Sequence, residues 1–517
     1  MPCPLAYAHM SPSVLASTAI LLGCLWLYAY YKSNHDHGKL PPGPRALPFL
    51  GSLHMLGNLP HLTLAKLAQK YGPLMSIKLG SATAIVISSP DYAELFLKTH
   101  DPVFASRPDA EAAMYLSYGG KGMALTPYGS NWRNARKLCH TNLLCASKVE
   151  SSTQIRREEL EMFVGSVRKS AMAQEVVDLT EKVRELIENM IFRMLFGHKI
   201  DYHRFDVKML IEEASFFAGA FNISDFMPYL GALDLQGMKQ RMGAFSKAMD
   251  EFLEKIISDH EQDPQRDQNQ HGSSFIDVLL SSMNKPLMNP NDRKQSEYII
   301  DRDSIKAIII DMFIGGYDST ATSIMWAISE LFMHPRVMKC LQQELQNVVG
   351  TKRMVEETDL PKLTYLDMVL NESFRLHPSA PLLSPREAME DIKINKYYIP
   401  KKSRIVLNTW AIGRDVSAWS SNVNEFLPER FMEDNVDVRG RDFRVLPFGS
   451  GRRGCPAINL GLTITRLVVA QLMHCFNWEL PEGMSPSDLD LSEKCRLSFP
   501  RVARVHAVPT SYRIMCE

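Results

Sequence analysis

The loop Phe448–Ala457, with the sequence FGSGRRGCPA, constrains this chain more than any other stretch of it. A single cysteine, Cys455, follows three glycines and two arginines and precedes a proline. The glycines allow a tight turn whose N–H groups can point at the sulfur, and such hydrogen bonds tune a bound metal. Pro456 suits the first turn of a helix that would follow the loop.

The chemistry of one thiolate limits which metal centre this loop could serve. Zinc takes three or four protein ligands, so a lone thiolate does not hold it. Haem iron needs only an axial protein ligand, because the porphyrin supplies four others. Arg453 would then neutralise a haem propionate. A buried structural cysteine in a glycine turn is the alternative that these residues alone leave open.

Charge and cysteine content narrow the class of protein further. The 58 Lys and Arg residues balance 58 Asp and Glu residues, so bulk charge gives no reason to expect nucleic acid as a partner. A hydrophobic fraction of 45% is typical of a globular protein with a substantial core. The nine cysteines form no CxxC pair, which favours reduced thiols facing the cytosol.

The N-terminal region carries an apolar segment. Residues 14–31 contain no charged side chain, and Lys32, Lys39 and Arg45 follow them. The length reaches the lower limit of a membrane span, and the charge after it predicts a cytosolic body. We therefore predict a retained membrane anchor at residues 1–31, with a cleaved signal peptide or a buried helix as alternatives.

The rest of the chain is expected to form a hinge and one catalytic domain. Residues 32–51 are basic and proline-rich, which excludes a regular helix and predicts a stiff connector. Residues 52–517 are predicted to be one mainly helical domain, with two short strands around a Gly-Ser turn at Ser76–Ser89. The polar stretch between Asp259 and Asp303 is expected to be mainly a surface loop between helices.

The cysteine loop resembles the haem-thiolate signature of the cytochrome P-450 family, Phe-x-x-Gly-x-Arg-x-Cys-x-Gly. Phe448, Gly451, Arg453 and Cys455 match it, and Ala457 replaces the final glycine. The resemblance implies the cytochrome P-450 fold, mainly α with small β-sheets, and an N-terminal transmembrane helix. It also implies haem b as the cofactor, with Cys455 as the metal ligand and Phe448 and Arg453 beside it.

Weaker motifs of the family follow in the expected order. Glu372 and Arg375 in ESFR share a helical face at i, i+3. The resemblance implies that they form a buried ion-pair network with Arg430 of PERF, supporting the haem-side core. Alone, an ExxR pattern occurs on many surface helices and predicts nothing.

Three further residues resemble ligands of the haem propionates. Trp132 and Arg136 in WRNAR lie one helical turn apart, and Arg386 lies in SPRE. The resemblance implies that all three reach haem propionates. A core tryptophan beside a solvated arginine would be the simpler interpretation of WRNAR by itself.

The sequence DMFIGGYDSTATS lies within an apolar helix predicted from Ser304 to His334. Gly315 and Gly316 weaken the helical ladder and predict a local bulge that opens space for dioxygen.

This stretch also resembles the family's pattern Ala/Gly-Gly-x-Asp/Glu-Thr-Thr/Ser, except that Ser319 stands where most members have threonine. The resemblance implies that Asp318, Ser319 and Thr320 are the catalytic residues, an acid and alcohols that deliver protons for O–O cleavage. The alternative is that the hydroxyls of Ser319 and Thr320 only bond back to carbonyls one turn earlier.

Among branches of the family, LPPGP, YGPLMSIKLG and VFASRP most resemble the plant microsomal enzymes of specialised metabolism. The segments that line the pocket in such relatives are apolar here: Ala112–Gly120, Phe216–Pro228, Ser379–Pro385 and Leu497–Pro500. An apolar pocket favours a small, oxygen-poor substrate. A terpenoid is predicted, with a flavonoid or other phenolic as the alternative.

The resemblance therefore implies a single-pass enzyme of the endoplasmic reticulum membrane that hydroxylates its substrate with O2. Its electrons come from NADPH through a flavoprotein reductase, for which Arg133, Lys137 and Arg452 are predicted to form a basic face. A reductase-independent lyase or isomerase, and a non-catalytic haem sensor or carrier, are the alternatives. The acid–alcohol pair and the unextended cysteine loop argue against the lyase or isomerase. The same pair and the predicted membrane anchor argue against the sensor or carrier.

Overall fold

The computed structural model describes residues 39–199, 205–262, 274–284, 286–287, 298–420, 422–432 and 436–514, together with Gly23. The predicted anchor and the start of the hinge thus lie outside the described residues, apart from that one glycine.

Helices make up most of the described chain, as the sequence predicts. The α-helices are α1 (Pro60–Tyr71), α2 (Pro90–Glu94), α3 (Glu111–Leu116), α4 (Ser130–Cys139), α5 (Ala146–Ser151), α6 (Thr153–Ala173), α7 (Leu179–Phe196), α8 (Val207–Gly219), α9 (Met238–Gln262), α10 (Phe275–Ser282), α11 (Arg302–Met333), α12 (Pro335–Val349), α13 (Thr364–Leu376), α14 (Thr409–Ile412), α15 (Val416–Trp419) and α16 (Ile458–Cys475). Short 3₁₀ turns connect several of them, one of which, Gly451–Arg453, lies in the cysteine loop.

The strands form small sheets at the edges of the helical body. They are β1 (Leu74–Leu79), β2 (Ala82–Ile87), β3 (Val177–Asp178), β4 (Pro286–Leu287), β5 (Tyr298–Ile299), β6 (Arg386–Glu387), β7 (Ile392–Ile394), β8 (Tyr397–Ile399), β9 (Arg404–Leu407), β10 (Phe476–Glu479) and β11 (His506–Tyr512). The largest sheet has the order β1-β2-β9-β6, in which only β2 and β9 run parallel. The predicted hairpin at Ser76–Ser89 is β1–β2, with Leu74 opposite Ile87.

The central helix α11 organises the core. Its side chains are buried on nearly every face, as expected for a helix that is apolar all round. Asp301 caps it by accepting a hydrogen bond from the N–H of Ser304 at 2.9 Å. Helices α7, α13 and α16 pack against it. The predicted bounds, Ser304 to His334, are confirmed within two residues.

The bulge predicted at Gly315–Gly316 is wrong. Helix α11 runs through both glycines as a continuous α-helix. Helix α7 packs so closely here that a Cβ on Gly316 would lie 2.8 Å from Cδ1 of Ile191. Gly316 therefore serves close helix packing, whereas a Cβ on Gly315 would meet no atom within 4 Å.

The expectation of a surface loop between Asp259 and Asp303 is only partly right. The described part of this stretch contains the end of α9, the helix α10 and the β4–β5 pair. Helix α10 forms because Ser274 and Asp277 make reciprocal capping hydrogen bonds and an apolar run follows. The loop prediction is wrong at α10 because this cap and the apolar run outweigh the polar residues before them.

The proline-rich hinge is irregular, as predicted, and its described part lies against the sheet. Ser76 on β1 donates from its N–H to the carbonyl of Pro42 at 2.9 Å and from its hydroxyl to the carbonyl of Pro41 at 2.6 Å. A side chain at Gly43 would collide with the backbone of Ser76. The described part of the hinge is therefore fixed in position against β1.

Within the described residues, one helix is long and apolar enough to cross a membrane by length and composition. It is α16, and 72% of its apolar window is buried in the protein. A core position explains that composition, since α16 packs against the central helix α11.

The predicted ion-pair network is present and buried. Glu372 accepts hydrogen bonds from Arg375 at 2.6 and 2.8 Å and from Nε of Arg430 at 2.8 Å. The N–H of Leu427 donates to the same carboxylate at 2.8 Å. Arg375 also donates to the carbonyl of Gly413, so one carboxylate joins α13 to two loops of the core.

Substitution of Glu372 tests how much this network contributes to the free energy of unfolding. Glu372→Gln leaves two buried guanidinium groups without their carboxylate, and breaking a buried ion pair costs about 3–5 kcal/mol. We expect a correspondingly lower free energy of unfolding in urea, followed by circular dichroism. Glu161→Gln, which removes the exposed pair with Arg157, should change it little. Equal stability of the two variants would contradict a supporting role for the network.

Candidate active site

The loop around Cys455 folds back on itself. The N–H of Cys455 donates to the carbonyl of Phe448 at 2.8 Å, which closes the loop that the glycines allow. Burial raises the pKa of the Cys455 thiol, whereas the N–H of Ala457 and the charge of Arg136 oppose that rise. Groups that favour the thiolate are thus already aimed at the sulfur.

Gly451 occupies a position that only glycine fits. Its φ is +65°, and a Cβ there would collide with the carboxylate of Asp101 and the carbonyl of Leu97. Asp101 is buried, and it accepts the backbone N–H of Arg452 at 3.1 Å. The loop therefore depends on a close approach between Gly451 and Asp101.

Four guanidinium groups gather beside this loop: those of Arg107, Arg136, Arg386 and Arg453. Arg136 donates to the carbonyl of Gly454 at 2.8 Å. Arg386 donates to the carbonyl of Ser450 at 2.5 Å and to Oδ1 of Asp101 at 2.9 Å. Within the described part of the chain, Asp101 is the one carboxylate that forms an ion pair with any of the four.

The lowered pKa values of two of these arginines reflect the excess of positive charge in the cluster. Burial, followed by repulsion from Arg386 and Arg136, lowers the pKa of Arg453 to about 9. Burial, followed by repulsion from Arg453 and Arg386, lowers the pKa of Arg107. Buried like charges of this kind are stabilised by an anion. The cluster therefore suits an acidic group of more than one negative charge.

Trp132 packs within this cluster, on the face of α4 that the sequence predicts. Its ring lies 4.4 Å from the guanidinium carbon of Arg453 and 5.5 Å from that of Arg136. Arg453 donates hydrogen bonds to two backbone carbonyls, that of Ala105 at 2.6 Å and that of Thr126 at 2.7 Å. The structure thus brings Trp132, Arg136, Arg386 and Arg453 together next to Cys455.

A short segment joins the cysteine loop to the central helix. Nη1 of Arg453 donates to the carbonyl of Met123 at 3.4 Å, and the N–H of Met123 donates to Oδ2 of Asp311. The N–H of Ala124 donates to the same oxygen at 3.0 Å. Burial raises the pKa of Asp311 to about 6, against these two N–H groups. Asp311 thereby fixes the segment to α11.

The three predicted catalytic residues differ in their surroundings. Asp318 is buried, and its Oδ2 accepts a hydrogen bond from the hydroxyl of Ser498. The Ser319 hydroxyl is half-buried and donates to the carbonyl of Gly315 at 2.7 Å, the back-bond that the sequence analysis left as an alternative. Thr320 is buried. Ser319 thus shares the side of α11 on which Gly315 is open.

Several residues of the site were not predicted. Arg107 lies in VFASRP and Ser498 in LSFP, two segments noted in the sequence for other reasons. Asp101 and Arg184 carry no sequence signal, because only the fold brings them to Arg386 and Asp318.

Comparisons of this chain with known proteins agree with this geometry. The family model for cytochrome P450 matches residues 41–502. The chain is 53% identical to cytochrome P450 CYP736A12 of Panax ginseng over 98% of this chain and 100% of the relative. It therefore belongs to the cytochrome P450 family and is a plant-type P450 monooxygenase, as the sequence predicted.

Other relatives have names that state an activity. Premnaspirodiene oxygenase of Hyoscyamus muticus is 39% identical over 96% of this chain and 98% of its own. The 5-epiaristolochene 1,3-dihydroxylase of Nicotiana tabacum is 38% identical with the same coverage. A zebrafish cytochrome P450 solved with progesterone superposes with a TM-score of 0.71 at 25% identity, over 87% of this chain and 99% of that one. The predicted P450 fold, mainly α with small β-sheets, is confirmed, whereas the predicted N-terminal transmembrane helix lies, apart from Gly23, outside the described residues.

Haem is the cofactor of this family, and the residues present fit it. The single thiol suits an iron that has four porphyrin ligands already. The four arginines beside it, with which one carboxylate is paired, suit the two carboxylates that the porphyrin carries.

The fit of the loop can be tested at Gly451. We expect Gly451→Ala to bind much less haem, because the added methyl group clashes with Asp101 at a φ that L-residues avoid. Gly454→Ala should keep most of its haem, since its Cβ would approach no atom closer than 3.3 Å. The measurement is the haem-to-protein ratio after purification, and equal ratios would contradict this role of Gly451.

Proposed function

We propose that this chain hydroxylates a small terpenoid, using NADPH and O2. We infer the substrate class from the hydrogen bonds that polar side chains make on the four segments predicted to line the pocket. Ser117 donates to the carbonyl of Ala113 at 2.7 Å, and Tyr118 donates to Asp250 at 2.8 Å.

Two further side chains of these segments are bonded within the protein, whereas the buried hydroxyl of Ser224 has no hydrogen-bond partner among the described residues. Asn222 accepts the N–H of Ser224 at 3.1 Å, and Ser498 donates to Asp318. Polar groups that are already bonded within the protein offer little to a substrate, so its contacts are mainly apolar. This supports an oxygen-poor substrate more than a phenolic one.

We assign Cys455 as the residue that would hold the haem iron through its thiolate. Arg136, Arg386, Arg453 and Trp132 would lie around the propionates, and Phe448 beside the thiolate. Haem, when bound, supplies the activation of dioxygen. The Phe448 ring packs edge-on against Phe374 at 5.7 Å, which holds the loop against α13.

Proton delivery is assigned to α11. Asp318 is the acid, and Ser319, on the side of the helix that is open at Gly315, is the alcohol that passes the proton on. Thr320 follows one residue later, which is a rotation of about 100° on a helix, so its hydroxyl faces a different direction from that of Ser319.

Members of the family draw electrons from a redox partner, and plant members are typically anchored in the endoplasmic reticulum membrane. We propose the same here, with residues 1–31 as anchor, 32–51 as hinge and 52–517 as catalytic domain facing the cytosol. Arg133 and the exposed Lys137 on α4 contribute to the basic face for an NADPH-dependent flavoprotein reductase. Arg452 contributes less, because Asp101 pairs with its guanidinium group at 3.1 Å.

The decisive experiment uses the full-length chain with a plant flavoprotein reductase in membranes. We expect oxygenated product from premnaspirodiene or 5-epiaristolochene, in proportion to the NADPH added, and little product from a flavonoid. Efficient flavonoid hydroxylation would replace the terpenoid assignment. Turnover of a fatty-acid hydroperoxide without NADPH, with none of these activities, would favour the lyase or isomerase instead.

A further inference from the structure

The two carboxylate oxygens of Asp318 have different partners. Oδ2 accepts the hydroxyl of Ser498, which is buried in the segment Leu497–Pro500. Oδ1 lies 3.6 Å from Nη2 of Arg184 on α7, and the same guanidinium group lies 3.6 Å from Oε1 of Glu212 on α8. Ser498 is thus the direct hydrogen-bond donor to the acid, whereas Arg184 is an ionic neighbour on the side toward solvent.

A second hydroxyl fixes the direction of the Ser498 hydrogen bond. The hydroxyl of Thr322, one turn after Asp318 on α11, lies 3.2 Å from that of Ser498. A hydroxyl has one proton, and Ser498 gives its own to the carboxylate. Thr322 must therefore donate to Ser498, and the two hydroxyls form a short chain that ends at Asp318.

The segment that carries Ser498 is held firmly. The N–H of Phe499 donates to the carbonyl of Ser379 at 2.9 Å, and Nε1 of Trp326 donates to the carbonyl of Phe499 at 3.0 Å. On the other side, a Cβ on Gly219 at the end of α8 would lie 2.6 Å from Cα of Leu497. Ser498 therefore has little freedom to follow Asp318 if the carboxylate turns.

We propose that Ser498 is a positioning residue for proton delivery: its fixed hydroxyl holds the Asp318 carboxylate in one orientation, against the pull of Arg184. This rests on the proposed monooxygenase function. Without Ser498 the carboxylate would keep only its ionic neighbour Arg184 and could turn toward it.

The products of dioxygen reduction report on this step. Each NADPH supplies two electrons through the reductase. If the O–O bond is not cleaved, these electrons and two protons leave with dioxygen as hydrogen peroxide. If it is cleaved, one oxygen atom leaves as water. The other enters the substrate or, with a second NADPH, becomes a second water. Hydrogen peroxide released per NADPH therefore measures failed proton delivery whether or not the substrate is oxidised.

The test compares Ser498→Ala, Ser498→Thr and a matched control in the full-length enzyme with reductase and premnaspirodiene. We expect Ser498→Ala to lower the ratio of O–O cleavage to peroxide release about tenfold, the effect of one hydrogen bond to a charged group. Ser498→Thr keeps the hydroxyl and should restore most of this ratio.

The control is Ser329→Ala, which removes another buried hydroxyl of α11 without touching Asp318. Ser329 bonds back to the carbonyl of Met325 at 2.6 Å and accepts from Arg501 at 2.9 Å. It should release peroxide like the wild type. Equal peroxide release by Ser329→Ala and Ser498→Ala would overturn the proposal, since any buried hydroxyl would then suffice.

A second readout needs no turnover. The infrared carboxylate band that Asp318→Asn removes can be recorded in the haem-loaded protein. In Ser498→Ala this band should shift in frequency relative to wild type, because the carboxylate loses a hydrogen-bond donor. An unchanged frequency would overturn the role of Ser498. Absence of any NADPH consumption by the wild type would instead count against the proposed function, and the band frequency would still decide on Ser498.

Discussion

Buried positive charge beside Cys455 is the constraint on which the rest of this site depends. Arg386 and Arg453 are both nearly inaccessible to solvent, and each lowers the pKa of a neighbouring arginine. Asp101 neutralises only part of this charge. A cluster of this kind is costly to bury without an anion, so the surrounding elements are arranged for one that binds there. Haem meets this requirement with its two carboxylates.

The same interactions connect the cysteine loop to helix α11, to which we assign proton delivery. Arg453 bonds to the segment around Met123, and Asp311 on α11 holds that segment by two N–H groups. Farther along α11, Asp318 accepts a hydrogen bond from Ser498 of the segment Leu497–Pro500. The residues proposed to bind the cofactor and to supply protons are therefore connected by neighbouring contacts along one helix.

Local patterns were sufficient to predict much of this protein. The bounds of α11 and the β1–β2 hairpin follow from apolar periodicity and turn residues. The network around Glu372 was predicted from the resemblance to the family, because its ExxR motif alone predicts nothing. The predicted bulge failed because the packing of Ile191 against Gly316 depends on a distant helix. Asp101 was missed for the same reason, since its partners lie about 285 and 350 residues away along the chain.

The absorption spectrum of the ferrous protein with carbon monoxide tests the assignment of Cys455 most directly. Wild type and Cys139→Ala should both show the band of thiolate-ligated haem. Cys139 is a matched control, because it is buried on α4 and burial raises the pKa of its thiol. Cys455→Ala should lose the band. Its persistence in Cys455→Ala would contradict the assignment of this thiolate as the axial ligand.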